Sequence, residues 1–185
     1  IAMADSADIQ YVEGFSFYNL GPEFNNLTFE NINQEGVELM KSTLESKHIK
    51  MTSIYVNDTR GAEGWKRYFE LGQIFNVEYL VGEPNKESWG IIDSLASIYK
   101  IKFAIHEHAK GHSLYWHPDS VLAAINGHKN IGACADIGHW VRSGLNVVEC
   151  LKKLDGHILG LHVKDLDEAG NPKAKDVNVG KGVID

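Results

Sequence analysis

Residues 101–108 read I-K-F-A-I-H-E-H: an apolar, β-rich run that passes directly into two histidines flanking a glutamate. Side chains alternate across a strand, so Phe103 and Ile105 share one face while Ala104, His106 and His108 share the other. The face with the larger apolar groups belongs beneath covering helices. That turns both histidines the opposite way, at the C-terminal end of the strand, and sends Glu107 to the helix side or into the loop. Comparable runs occur at Ile9–Glu13, Ile49–Val56, Val77–Val81, Ile131–Ala135 and Ile158–Val163. Between them lie segments with helical spacing, such as Val37, Met40 and Leu44, or Ile91, Ile92, Leu95 and Ile98. Regular alternation of strand and helix means parallel strands joined by crossovers, and a spacing of about one βα unit per strand points to a barrel rather than an open sheet.

The rest of the chain limits the alternatives. The 185 residues are 43% hydrophobic and 23% charged, an ordinary globular composition read as one domain over residues 1–185. The net charge of −7 argues against a nucleic-acid partner. Cys134 and Cys150 lack metal-site spacing and weakly favour a reducing, cytoplasmic setting; the compartment itself is not readable, because the chain opens on Ile1 and an export signal ahead of it is left open. No apolar run is long enough to span a membrane. Neither G-x-G-x-x-G after the first strand nor G-x-x-x-x-G-K-[ST] occurs, which removes the main support for a nucleotide-binding sheet. The irregular stretch from Ser16 to Gln34 is expected as a substrate-side loop, or equally as a surface insertion.

Three successive strands end in groups able to bind a metal. His106 closes the first; I-G-A-C-A-D-I-G-H-W closes in Asp136, with His139 three residues on; I-L-G-L-H-V-K-D turns His162 and Lys164 inward. Catalytic groups of a (β/α)8 barrel sit at this end of the strands. Any one of these histidines alone reads as a hydrogen-bonded structural residue, and Asp136 alone as a turn cap. Their concurrence favours a site for a divalent ion, and imidazole donors favour Mn²⁺, Co²⁺, Zn²⁺ or Fe²⁺ over Mg²⁺. His112, His117, His128 and His157 lie off the strand ends and are read as surface residues.

The succession I-H-E-H, A-D-I-G-H-W, L-H-V-K-D-L-D and V-G-K-G-V-I-D resembles the xylose isomerase-like TIM-barrel superfamily of sugar phosphate isomerases and epimerases, across nearly the whole chain. The D-x-x-H and H-x-K-D segments are the specific part. The resemblance implies an α/β chain of (β/α)8 TIM-barrel type lacking the first strand and the last helix and strand, with open edges that a second copy would cover. It also implies a divalent metal held by Glu, Asp, His and Glu. Asp136 takes the Asp position and His162 the His position. The first Glu position falls on His106, with Glu107 as the alternative if the strand bulges, and the final Glu lies beyond Asp185. The implied activity is metal-dependent proton transfer next to the carbonyl of a sugar or sugar phosphate. His108, His139, Lys164 and Glu83, the last in V-G-E-P, are the candidate acid, base and electrophile groups. Alternatives are a lyase, dehydratase or hydrolase acting on an oxidised sugar or cyclitol, and a non-catalytic sugar-binding barrel; an abasic-site nuclease fits the charge poorly.

Overall fold

The computed structural model describes residues 1–59 and 61–184. Six strands, β1 (Tyr11–Phe15), β2 (Lys50–Tyr55), β3 (Tyr79–Gly82), β4 (Lys102–His106), β5 (Ile131–Asp136) and β6 (Ile158–His162), form one sheet in sequential order. Every neighbouring pair is parallel. The short α1 (Ala2–Ser6) precedes β1, and α2 (Gln34–Ser46), α3 (Gly61–Ile74), α4 (Trp89–Tyr99) and α5 (Pro118–Ile125) connect the next strands in turn. Two short helices, α6 (Ile137–Arg142) and α7 (Val147–Lys153), fill the crossover from β5 to β6. Beyond β6 a two-residue antiparallel pair, β7 (Asp165–Leu166) with β8 (Asp176–Val177), closes the described chain.

The helix-facing side holds the main core. Phe103 and Ile105 of β4 pack there with Trp65, Phe69, Leu80, Ile92 and Trp140. The opposite face carries a separate apolar layer of Val81, Ala104 and Cys134, bordered by Tyr55, Tyr79 and Leu159. In a flat six-stranded sheet, β1 and β6 would lie about 24 Å apart at ~4.8 Å per strand gap. Here Glu13 of β1 meets His162 of β6 at 3.1 Å, so the sheet is curled into an arc whose concave side is the inner layer. Gly160 is part of how that arc closes: a Cβ there would stand 2.5 Å from the Tyr79 hydroxyl reaching over from β3.

Two local results depart from the sequence expectation. β1 begins at Tyr11 because the Ile9 amide is already bonded to the Ala4 carbonyl, finishing the turn after α1. Ile98 is 71% exposed, and the stripe that α4 buries is Trp89, Ile92 and Ala96 instead. None of the helices of the described residues is long and apolar enough to cross a membrane.

Candidate active site

Polar side chains from all six strands, or from the turns directly after them, meet at the C-terminal rim of the arc. Asp136 stands at the centre, fully buried. Its backbone ends β5 and its Oδ1 accepts the His139 amide at 3.1 Å, so it is also the N-cap of α6. Around its Oδ2 lie Lys164 Nζ at 2.7 Å, His106 Nε2 at 3.4 Å, His162 Nδ1 at 3.8 Å and His139 Nε2 at 3.9 Å. The other nitrogen of His106 faces Glu83 Oε1 at 3.3 Å, and His108 Nδ1 contacts that same oxygen. His162 turns its Nε2 to Glu13, whose second oxygen accepts a 2.6 Å hydrogen bond from Ser53. Tyr55 completes the wall, its hydroxyl 3.4 Å from His106 Nδ1.

Burial and charge set the protonation states. Burial opposes a charged His106, but its pairing with the carboxylates of Asp136 and Glu83 outweighs it and raises the group to about 9. Burial likewise opposes an ionised Glu83, yet His106, His108 and Ser113 bring that carboxyl down to about 2. Asp136 follows the same logic: desolvation is overcome by His106 and Lys164, and its carboxyl lies well below the usual range. His139 goes the other way, lowered to about 4 by burial and the nearby Lys164 despite Asp136, so it is a neutral ring at pH 7. Desolvation raises Glu107 to about 8. That carboxyl is fully buried on the helix side, where Oε1 accepts the Asp136 amide at 3.1 Å. β4 pairs regularly with both neighbours, without the bulge that would carry Glu107 inward.

The rim suits a divalent cation. His162 turns Nε2 to Glu13 and Nδ1 to Asp136, and His106 turns Nδ1 to Glu83 and Nε2 to Asp136, so an ion that displaced the proton of His106 Nε2 would meet two imidazole nitrogens and a carboxylate oxygen. The three ligand atoms of His106, Asp136 and His162 lie within 4.8 Å of one another. Asp136 Oδ2 is buried yet accepts no aligned hydrogen bond, the condition of an oxygen left for a positive charge. Glu83, His106 and His108 form a second group of the same compactness.

All seven residues expected from the sequence, His106, His108, Asp136, His139, His162, Lys164 and Glu83, therefore stand on one rim. Glu13, Ser53 and Tyr55 join them and were not expected. Glu13 ends the first apolar run of the sequence, so the strand-end reasoning applied to His106 reaches it too. Its direction is less readable, because the β1–β2 register shifts between Val12 and Glu13.

No protein-family model matches the chain, and no curated protein matches its sequence. Solved structures do. An uncharacterised protein from Parabacteroides distasonis ATCC 8503 is 28% identical, with a TM-score of 0.73 over 88% of this chain and 66% of its own. A xylose isomerase-like TIM-barrel protein from Mycobacterium smegmatis, in complex with magnesium, is 13% identical, with a TM-score of 0.75 over 98% of this chain and 72% of its own. The "probable 3-DHS dehydratase AsbF" of Bacillus anthracis is 15% identical, with a TM-score of 0.74 over the whole of this chain and 78% of its own. The chain thus spans 66% to 78% of the length of these structures. By its strand order, its curled sheet and these likenesses, the chain has the xylose isomerase-like TIM-barrel fold, represented by six consecutive strands of the (β/α)8 pattern.

Proposed function

We propose that the chain is a metal-dependent enzyme that moves a proton at the carbon beside the carbonyl of a sugar or sugar phosphate. The observation that carries this is the convergence of His106, Asp136 and His162 on one buried point, with proton-handling groups on both sides of it. Those three residues would hold a divalent ion, which when bound supplies Lewis-acid polarisation of a carbonyl and a neighbouring hydroxyl. Glu83, ionised at pH 7, is placed to accept the proton from carbon, and His108, half exposed and in contact with it, to pass that proton to solvent and back. On the other side, Lys164 and the neutral His139, 3.2 Å apart, would orient and neutralise a substrate oxygen as charge develops there. Tyr55, whose phenol burial and the nearby Glu83 and Glu13 push up, stays protonated and offers a hydroxyl to the same space.

A dehydratase or lyase using the same rim is favoured by one feature, the histidine at position 106 where the resembling family places a glutamate. A single experiment tests both readings: incubate the protein with aldo- and keto-sugars and their phosphates in D₂O with Mn²⁺ or with chelator, and follow the products by NMR. Metal-dependent deuterium incorporation beside the carbonyl, with the carbon skeleton conserved, is the expected result. Loss of water or of a sugar unit selects the elimination reading, and no metal-dependent change in any substrate refutes both.

A further inference from the structure

Asp136 Oδ2 is the point on which the ligand atoms converge, and a cation of the protein's own already stands on it. Lys164 Nζ is 2.7 Å away, closer than either histidine. The lysine reaches that place along a track made for it. Its stem crosses the start of α6 over Gly138, where a Cβ would lie 2.8 Å from Lys164 Cβ and 3.0 Å from Cδ. The ion pair is not an aligned hydrogen bond, since Oδ2 lacks one; the ammonium acts as a point charge beside a buried anion. It also has a second acceptor, His139 Nε2 at 3.2 Å, and the side chain is 30% exposed. An ammonium and a divalent ion cannot both occupy the lone pairs of one carboxylate oxygen without strong repulsion. We propose that Lys164 is the resident counter-cation of the metal-free rim, and that a divalent ion enters only by exchange, displacing the lysine from Asp136 toward His139. This rests on the metal-dependent reading above and adds to it a price on metal affinity to which one lysine contributes.

The test is Mn²⁺ titration calorimetry on the wild type, Lys164→Met and Lys164→Arg, with Lys164→Gln replacing the methionine variant should that one not fold. Removing the charge should tighten Mn²⁺ binding by about tenfold or more, whereas Lys164→Arg should bind no more tightly than the wild type. A measurement needing no variant accompanies it: acetylation of Lys164 by acetic anhydride, read by peptide mass spectrometry, should speed up when Zn²⁺ is added. Equal or weaker Mn²⁺ binding by the uncharged variants, or a Lys164 acetylation rate that Zn²⁺ leaves unchanged, would overturn the exchange while leaving the metal site standing. Absence of binding in every form would instead remove the metal-dependent function itself.

Discussion

Replacing Asp136 by asparagine separates the charge of this residue from its shape. The amide oxygen can still accept the His139 amide that Oδ1 now accepts at 3.1 Å, so the cap on α6 survives. What disappears is the anion between Lys164 and His106. Removing one partner of a buried pair typically costs about 3–5 kcal/mol. Lys164, 30% exposed, can turn to water, whereas the His106 side chain, 4% exposed, cannot, so the low end, about 3 kcal/mol, is expected for the metal-free protein. The second consequence is local: without the Asp136 carboxylate His106 keeps only Glu83, and its titration should fall below about 9. Urea unfolding in chelator at pH 7 measures the first, and imidazole NMR signals across a pH series measure the second. An Asp136→Asn protein within about 0.5 kcal/mol of wild type, with an unmoved His106 titration, would show that the rim charges are not coupled as the distances imply.

His106 holds its proton more tightly folded than unfolded, so its stabilisation is complete below pH 6.5 and lost as pH rises through about 9; the loss amounts to about 3 kcal/mol. Denaturation curves in chelator should show this decline in the wild type and a flatter one in His106→Gln. Glu107 also binds its proton better when folded, between its ordinary 4.5 and about 8, so Glu107→Gln should remove part of the same decline, beginning at lower pH, in the same assay. Gly132→Ala would bring a methyl within 2.5 Å of the His157 carbonyl and 2.6 Å of Leu159 Cγ. That clash at the β5–β6 junction should cost about 1–3 kcal/mol, read as a lowered midpoint of thermal unfolding.

Much of this architecture is written locally. The β-branched runs give all six strands to within two residues at their starts, because a strand covered on both faces needs a continuous apolar segment. The strand-end rule gives His106, Asp136 and His162 because alternation fixes the side of the sheet and parallel order fixes the end. Other features depend on partners distant in sequence. Glu13 is aimed by a register irregularity in β1 and by a histidine on β6, and neither is encoded near residue 13. Asp165 reads locally as half of a surface pair with Lys164. In the fold it is buried and accepts the amides of Leu166, Gly180, Gly182 and Ile184, which only the returning chain can supply.

The contact between Glu13 and His162 joins residues 149 apart in the chain. Forming it closes a long loop, so the rim is expected to be completed late in folding, after the intervening βα units. Among the described residues β1 and β6 are not paired with each other, so side chains hold that span. Whatever ligand bridges the two sides therefore acts as a girdle, and tightening it should slow amide exchange in β1 and β6 together although the two strands are not paired through their backbones.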